Sequence, residues 1–227
     1  MKKIVVAVDG VSSSGKSTMA KALAKETGYI YVDTGAMYRA VALYGIRMGW
    51  ITDDFIDEKT LRSHIEEIEI EFKTNDEGVQ ETWLNGENVE REIRSLEVGN
   101  GASKVSTLLF VREELVRRQQ EMGRDKGVVM DGRDIGTVVF PDAELKVFVY
   151  SAPEVRAERR YAELKAKGEE VNYEAVLANV LERDDRDMNR AESPLRKADD
   201  AIEIDNTHIN IEEQNNLLKT LFYERVL

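Results

Sequence analysis

The sequence feature that most constrains the fold of this chain is the segment GVSSSGKS at residues 10–17. It matches G-x-x-x-x-G-K-[ST], a phosphate-binding loop in which backbone N–H groups and a helix N-terminus hold phosphate oxygens. The β-branched run at residues 4–8 predicts a buried strand before the loop, and apolar residues at helical spacing follow it as far as Gly28. A chance Gly/Ser turn is the alternative, but the strand and helix on either side favour the loop. Lys16 would then reach the β- and γ-phosphates, and Ser17 would bind Mg²⁺.

Composition limits the remaining functions. Among 227 residues, 32 Lys and Arg stand against 44 Asp and Glu, which gives a net charge of −12. Such a surface disfavours non-specific binding to nucleic acid or to an anionic membrane. The chain has no Cys, which excludes disulfides and thiolate chemistry, and its two histidines, His64 and His208, lie near no motif. A Ser–His–Asp triad and a His-rich metal site are therefore not expected.

The same sequence predicts a soluble, cytoplasmic protein. Lys2 and Lys3 precede an apolar run, but Asp9 ends that run before it reaches the length of a signal peptide. No stretch approaches the length of a membrane helix. We expect no nucleic-acid or membrane partner, and the lack of a large apolar stripe predicts a monomer.

The order of elements predicts an α/β fold. Short apolar runs at residues 4–8, 29–32, 128–130, 145–150 and 201–204 alternate with helical patterns, which indicates a five-stranded parallel sheet with helices on both faces. The alternation breaks at about residues 65–92, where apolar and charged residues alternate and Asn85-Gly86 is typical of a hairpin turn. We therefore predict that a small antiparallel unit is inserted between the strands and helices of the parallel sheet.

Acidic residues follow two of the predicted strands. Asp33 ends the second strand, and Arg39 follows it by two helical turns at most; either they face the ligand cleft, or Asp33 only caps the next helix. Asp131 and Asp134 follow the third strand. One of them could serve a Mg²⁺ site, as the acidic residue of a Walker B strand does, or both could belong to a tight turn with a local ion pair.

Two arginine clusters recur at helical spacing, Arg156, Arg159 and Arg160 in one and Arg183, Arg186 and Arg190 in the other. Guanidinium groups match phosphate oxygens in pairs, so these edges are candidate phosphate sites. The alternative is i,i+4 pairing with nearby acids such as Glu163, Asp184 and Asp187.

The phosphate loop alone leaves several classes of protein open. No guanine-reading Asn-Lys-x-Asp occurs, and a motor ATPase would need a longer chain, so a small kinase remains. A kinase of a hydroxyl acceptor, of the shikimate kinase type with Asp33 as base, is one rival. A regulatory protein that binds nucleotide and a protein partner is another. The doubled arginine clusters argue against a neutral acceptor.

Four stretches together resemble the bacterial cytidylate kinases, a family of P-loop kinases. They are the loop at residues 10–18, DTGAMYR at 33–39, DGRDIGTVVFPD at 131–142 and RDDRD at 183–187. The resemblance covers nearly the whole chain in the same order and includes the antiparallel insertion. One departure is Val11-Ser12-Ser13, where the family usually has Pro, then Ala or Ser, then Gly; because the backbone amides remain, binding should survive.

The resemblance implies a reaction and a role for each part of the chain. ATP, with Mg²⁺, would phosphorylate CMP and also dCMP. It implies a core domain at 1–33 and 100–227, a lid at about 153–172, and a monophosphate-binding region at 34–99. ATP would be bound by the loop residues Gly10, Val11, Ser12, Ser13, Ser14, Gly15, Lys16, Ser17 and Thr18.

The resemblance also assigns the remaining site residues. The CMP phosphate would be held by Thr34, Arg39, Arg133 and Arg190. The cytosine edge would be read by Ser103, Arg112 and Asp134, and the ribose hydroxyls held by Arg183 and Asp187. Charge on the transferring phosphoryl group would be neutralised by Lys16, Arg133 and the lid residues Arg156, Arg159 and Arg160.

Overall fold

The computed structural model describes residues 2–227, and the predicted apolar runs become its strands. In chain order the strands are β1 (Val5–Gly10), β2 (Ile30–Asp33), β3 (Ile70–Thr74), β4 (Gln80–Leu84), β5 (Glu87–Asn88), β6 (Val128–Gly132), β7 (Leu145–Tyr150) and β8 (Ile202–Asp205).

Helices connect these strands wherever the sequence shows helical spacing. They are α1 (Lys16–Thr27), α2 (Thr34–Arg47), α3 (Glu58–His64), α4 (Leu96–Val105), α5 (Leu109–Met122), α6 (Pro153–Ala166), α7 (Tyr173–Asn189) and α8 (Ile211–Val226). Short 3₁₀ turns lie at Ile65–Glu67 and Glu92–Arg94, and one π-helical turn lies at Ile135–Val139. Within residues 2–227, no helix has both the length and the apolar character that crossing a membrane requires.

The larger sheet has five strands in the order β2-β6-β1-β7-β8. β1 runs parallel to β6 on one side and to β7 on the other, and β7 runs parallel to β8. Every residue of β1 and β6 is buried, so both faces of the sheet are covered. Apolar side chains of the strands pack with those of α1 and α8, such as Met19, Leu23 and Phe222. The predicted five-stranded parallel sheet flanked by helices is confirmed.

The smaller sheet is antiparallel, with strand order β3-β4-β5. Ile70 pairs with Leu84, and Leu84 pairs with Glu87 across the turn. Asn85 and Gly86 both have positive φ, 47° and 81°, as a tight two-residue hairpin requires. The predicted antiparallel insertion and its Asn-Gly turn are confirmed.

The acidic segment at about residues 50–60 leads into α3. Asp57 begins this helix, because its side chain accepts a hydrogen bond from the Thr60 N–H at 3.0 Å. The short length of α3, from Glu58 to His64, gave little periodicity from which to predict it.

The chain divides into two compact units. One contains the residues up to Val32 together with Met122–Leu227, and the other is Asp33–Glu121. The predicted monophosphate-binding region, 34–99, falls inside the second unit. Its role, the core limits 1–33 and 100–227 and the lid at about 153–172 remain predictions.

Candidate active site

The phosphate loop links β1 to α1 in the first unit. At Gly10 the backbone passes so close to the Val149 carbonyl oxygen that a side chain would collide with it. Gly15, at the N-terminus of α1, has φ 85° and accommodates the turn into the helix. The Lys16 ammonium is buried and donates to the Val11 carbonyl at 3.0 Å. The loop therefore gathers one cation and a helix N-terminus at one place, as the motif predicts.

Two buried side chains hold the loop from outside. Arg156 Nη1 donates to the Ser12 carbonyl at 3.1 Å. Asn206 Nδ2 donates to the Ser14 carbonyl and also to Gln214 Oε1. These bonds occupy loop carbonyls and leave the loop N–H groups as the donors that the motif uses for an anion.

A carboxylate receives two hydroxyl groups beside the loop. Ser17 Oγ donates to Asp131 Oδ2 at 2.6 Å, and the Tyr31 hydroxyl donates to Asp131 Oδ1 at 2.7 Å. Mg²⁺ prefers hard oxygen ligands and is usually held by one or two protein groups together with substrate phosphates. The oxygens of Ser17 and Asp131 fit that requirement.

Asp9, near the end of β1, fixes the backbone that follows Asp134. Its carboxylate accepts from the Ile135 N–H at 2.8 Å and from the Gly136 N–H at 2.7 Å. Burial raises the pKa of Asp9 to about 7, helped by the charge of Asp134 and opposed by the two N–H groups and Lys16. The π-helical turn at Ile135–Val139 thus begins on a buried acid.

Arginines from two parts of the first unit surround Asp187. Arg133 Nε donates to Asp187 Oδ2 at 2.7 Å. Burial pushes the pKa of Asp187 upward, but the charges of Arg133, Arg190 and Arg183 outweigh it, so its pKa lies below its usual range. Arg190 Nη2 also lies 3.9 Å from Asp134 Oδ1. Five of the predicted substrate residues therefore come together in this unit: Arg133, Asp134, Arg183, Asp187 and Arg190.

Arg183 is the member of this cluster least compensated by acid. Burial lowers its pKa to about 10, and the positive charges of Arg133, Arg160 and Arg186 act in the same direction, against Asp187. The group remains protonated at neutral pH. Like charges held together in a buried place are stabilised by an anion, so this cluster can bind a phosphate or other anionic group.

The three predicted lid arginines have separate partners. Arg156 is 1% exposed, donates to the Ser151 carbonyl at 2.8 Å, and forms a two-pronged pair with Asp184. Arg159 donates to the backbone oxygen of Asn206 at 2.9 Å. Arg160 pairs with Glu163 at 3.1 Å. Local pairing, the alternative interpretation, therefore fits only Arg160, whose partner lies three residues along α6, because Arg156 pairs with Asp184 on α7, 28 positions away. The catalytic roles of all three remain predictions.

The other predicted substrate residues lie in the second unit. Asp33 caps α2, accepting from the Ala36 N–H at 2.9 Å, and it also pairs with Arg94 at 3.0 Å. Thr34, the first residue of α2, is buried. Arg39, one turn further on, donates to the Ile93 carbonyl at 2.8 Å.

Ser103 and Arg112 are both buried in this unit. Ser103 lies on α4, and Arg112 on α5 donates to the Ser106 carbonyl, next to α4, at 3.2 Å. Two of the three residues predicted to read cytosine thus come from consecutive helices of this unit, and the third, Asp134, belongs to the first unit.

Comparison with known proteins settles the family. A sequence profile described as cytidylate kinase matches residues 6–222. The chain belongs to the cytidylate kinase family. The cytidylate kinase of Parabacteroides distasonis is 59% identical over 227 residues, which are 100% of this chain and 99% of that protein. That of Bacteroides thetaiotaomicron is 56% identical, over 98% of this chain and 97% of its own.

A solved structure agrees at the level of the fold. An uncharacterized protein from Eubacterium ventriosum has a TM-score of 0.52 and 12% identity, over 98% of this chain and 100% of its own. At that identity only the fold is shared. The predicted family and the predicted enzyme class, a kinase, are confirmed by the sequence comparisons.

The sequence patterns do not indicate every residue that contacts the candidate site. They predict Ser17 as the metal ligand and leave Asp131 as a candidate metal carboxylate, but they give no sign of Tyr31, Asp184 or Asn206. Tyr31 and Asp131 are 100 positions apart in the sequence and meet only through the sheet. The one available signal was strand order, which places the ends of parallel strands at a common edge.

Proposed function

We propose that this chain transfers the γ-phosphoryl group of ATP to CMP, giving ADP and CDP, and that dCMP is also accepted. The observation that carries the proposal is the partly buried cluster of Arg133, Arg183 and Arg190 around Asp187, in a chain of this family. A cluster of partly buried positive charge suits an anionic acceptor better than a neutral hydroxyl. Family membership likewise disfavours the shikimate-type and regulatory alternatives.

The phosphate loop supplies the charge stabilisation. The Lys16 ammonium would exchange the Val11 carbonyl for phosphate oxygens and stabilise negative charge as the phosphoryl group moves. Mg²⁺, held by Ser17 with Asp131, would neutralise charge on the β- and γ-phosphates. The acceptor phosphate has a second pKa of about 6, so it is ionised near neutral pH and no general base is needed.

The CMP contacts follow the family resemblance. Thr34, Arg39, Arg133 and Arg190 would hold the phosphate, and Arg183 would hold the ribose together with Asp187. The lowered pKa of Asp187 keeps it an acceptor, as a ribose hydroxyl requires.

Cytosine would be selected by complementary hydrogen bonds. Cytosine offers a donor at N4, which a carboxylate such as Asp134 can accept, and acceptors at N3 and O2, which Arg112 can reach as a donor. Ser103 would add a hydroxyl. Uracil reverses the pattern at positions 3 and 4, so one edge would remain unpaired, which is costly in a buried site.

The lid would close over ATP and exclude water, which otherwise competes as phosphoryl acceptor. Of its arginines, Arg160 pairs with the half-exposed Glu163, and exposed pairs contribute at most about 1 kcal/mol. Arg160 is therefore the easiest to redirect toward a phosphate. Arg156, buried against Asp184, would act from its present place.

A coupled ADP-release assay tests the reaction. The acceptors are CMP, dCMP, UMP, AMP, GMP and shikimate, each with Mg²⁺ and ATP, and one control reaction contains no acceptor. We expect rapid turnover with CMP and dCMP and slower turnover with UMP. Turnover with shikimate alone, or slow hydrolysis that no acceptor changes, would contradict the proposal. The monomeric state is tested separately by light scattering with and without CMP and ATP.

Base selection is tested with Asp134→Asn. The amide keeps the shape of the side chain but places a donor where the cytosine amine also donates, so kcat/KM for CMP should fall far more than for UMP. Asp142→Asn, an exposed acid of the same segment, is the matched control. An unchanged ratio of the two kcat/KM values in Asp134→Asn would show that Asp134 does not read the base.

A further inference from the structure

The phenol of Tyr31 makes a contact that packing alone does not require. Its ring is 7% exposed and packs in the apolar core with residues such as Val129, so its position is fixed. Its hydroxyl donates to Asp131 Oδ1 at 2.7 Å, while Ser17 Oγ donates to Asp131 Oδ2 at 2.6 Å. The Asp131 carboxylate thus links Tyr31, a core residue, to the hydroxyl of Ser17 in the first turn of α1.

The direction of these hydrogen bonds matters for cation binding. An ionised carboxylate only accepts, so Ser17 must give its single proton to Asp131, and the two lone pairs of the Ser17 oxygen remain available to a cation. The terminal torsion of an Asp side chain is broad, so the carboxylate needs a second contact to keep one orientation. The Tyr31 hydroxyl supplies that contact, as a charge-assisted hydrogen bond from a fixed ring.

We propose that Tyr31 is a positioning residue for the metal ion of the metal–ATP substrate. It holds Asp131 in one orientation, and Asp131 in turn holds the Ser17 hydroxyl with its lone pairs toward the cation. The inference rests on the proposed function, because the metal is the one that accompanies ATP. Partners in the outer shell of a metal site change metal affinity by about 10- to 100-fold when they are removed.

Tyr31→Phe removes the hydroxyl and keeps the ring, so the core packing is retained. The chain offers a matched control in Tyr29→Phe, two residues earlier. The Tyr29 hydroxyl also makes two hydrogen bonds, donating to the Lys2 carbonyl at 3.2 Å and accepting from the Ile4 N–H at 3.1 Å. The two variants delete the same atom, but only Tyr31→Phe touches the carboxylate.

The measurement is Mn²⁺ binding to the enzyme–ADP complex, followed by electron paramagnetic resonance, with calorimetry of ADP binding in the absence of metal. We expect Tyr31→Phe to weaken Mn²⁺ binding by about 10- to 100-fold and to leave metal-free ADP binding unchanged. Tyr29→Phe should change neither. In turnover, Tyr31→Phe should need more Mg²⁺ for half-maximal rate and should recover wild-type kcat at saturating Mg²⁺.

Two results in the variants would overturn the inference. Mn²⁺ binding equal to wild type would mean that the phenol merely satisfies its own hydrogen bond. An equal loss of metal-free ADP binding would mean that the loop as a whole is disturbed. Failure of the proposed function would be seen in the wild-type protein itself, which would then bind no metal–ADP or would not phosphorylate CMP. That result would overturn both the proposed function and the inference about Tyr31.

Discussion

The two sheets of this protein place charge in opposite ways. In the parallel sheet, β1 and β6 are buried throughout, and their acids, Asp9 and Asp131, stand near the carboxyl ends and are 5% and 3% exposed. In the antiparallel sheet, Glu71 and Lys73 alternate with apolar residues along β3 and pair with each other at 3.0 Å in solvent. The carboxyl end of the parallel sheet therefore holds its acids buried among specific partners, whereas β3 of the antiparallel sheet carries its charges exposed to solvent.

This difference indicates which charges carry function. A buried charge is tolerated only when a partner compensates it, and breaking one buried pair costs about 3–5 kcal/mol. An exposed pair contributes about 0–1 kcal/mol and is screened by salt. Position within a sheet, more than the presence of charge, thus separates the candidate site residues from the surface in this strongly acidic chain.

The largest effect is expected from Arg156→Met. This substitution leaves Asp184, 8% exposed, without its guanidinium partner and frees the Ser12 and Ser151 carbonyls. The free energy of unfolding should fall by about 3–5 kcal/mol, measured by urea denaturation.

A double variant distinguishes lost pairing from lost packing. Adding Asp184→Leu to Arg156→Met removes the unpaired charge, so much of the lost stability should return. If Arg156→Met alone costs less than Arg160→Met, whose pair with Glu163 is half-exposed, then burial does not rank these charges.

A second large effect is expected on turnover. Lys16→Ala removes the cation that the loop itself fixes, and kcat should fall by at least about 100-fold, since phosphoryl transfer depends on such stabilisation. Lys25→Ala, at the exposed end of the same helix, is the control and should leave kcat unchanged. Near-normal turnover in a folded Lys16→Ala protein would remove the basis of the proposed reaction.

Local patterns predicted much of this architecture. The strand, loop and helix around Lys16, the parallel sheet and the Asn85-Gly86 hairpin all follow from residues close together in the sequence. Helical spacing also placed Arg156, Arg159 and Arg160 on one edge of α6, but it did not predict their different partners. Those partners lie up to 144 positions away, as Ser12 does from Arg156.

The long-range contacts between side chains of the candidate site could not be predicted from the sequence. Tyr31 reaches Asp131 only because β2 and β6 are neighbours in the sheet. Asp9 reaches the Ile135 N–H across 126 positions, and the π-helical turn that begins there has no local sequence signal. Single-sequence patterns report period and turn chemistry, whereas these bonds depend on tertiary packing.

A further effect is expected in the pH dependence of stability. The pKa of Asp9 is about 7 in the folded protein, against an ordinary value of 3.8. Between these values the folded state binds a proton that the unfolded state has lost, so this group's contribution to stability is full below about pH 4 and is lost as pH rises toward 7.

Asp9→Asn should therefore remove a fall in the free energy of unfolding that wild type shows as pH rises toward 7. The measurement is urea denaturation across the accessible part of that range, with Asp205→Asn as control. Asp205 is exposed and its pKa is lowered by its hydrogen bonds with Thr207, so its contribution is lost only as pH falls. Identical pH profiles for wild type and Asp9→Asn would mean that Asp9 stays ionised throughout.

The smallest effect is expected from Lys73→Ala in the antiparallel sheet. Lys73 Nζ lies 3.0 Å from Glu71 Oε2 and 4.3 Å from the centre of the Trp83 ring, and both charged side chains are about half exposed. The free energy of unfolding should change by less than about 1 kcal/mol, and kcat/KM for CMP should not change.

Measuring urea denaturation of this variant at low and high salt separates the two contacts of Lys73. The ion pair is screened by salt, so any effect that persists at high salt belongs to the ring contact and to packing. Glu71→Gln, which removes the pair and leaves the ring contact, should then match the salt-sensitive part alone. A loss of several kcal/mol, or of CMP turnover, in either variant would break the contrast between the two sheets, because a half-exposed charge would then carry as much as the buried ones.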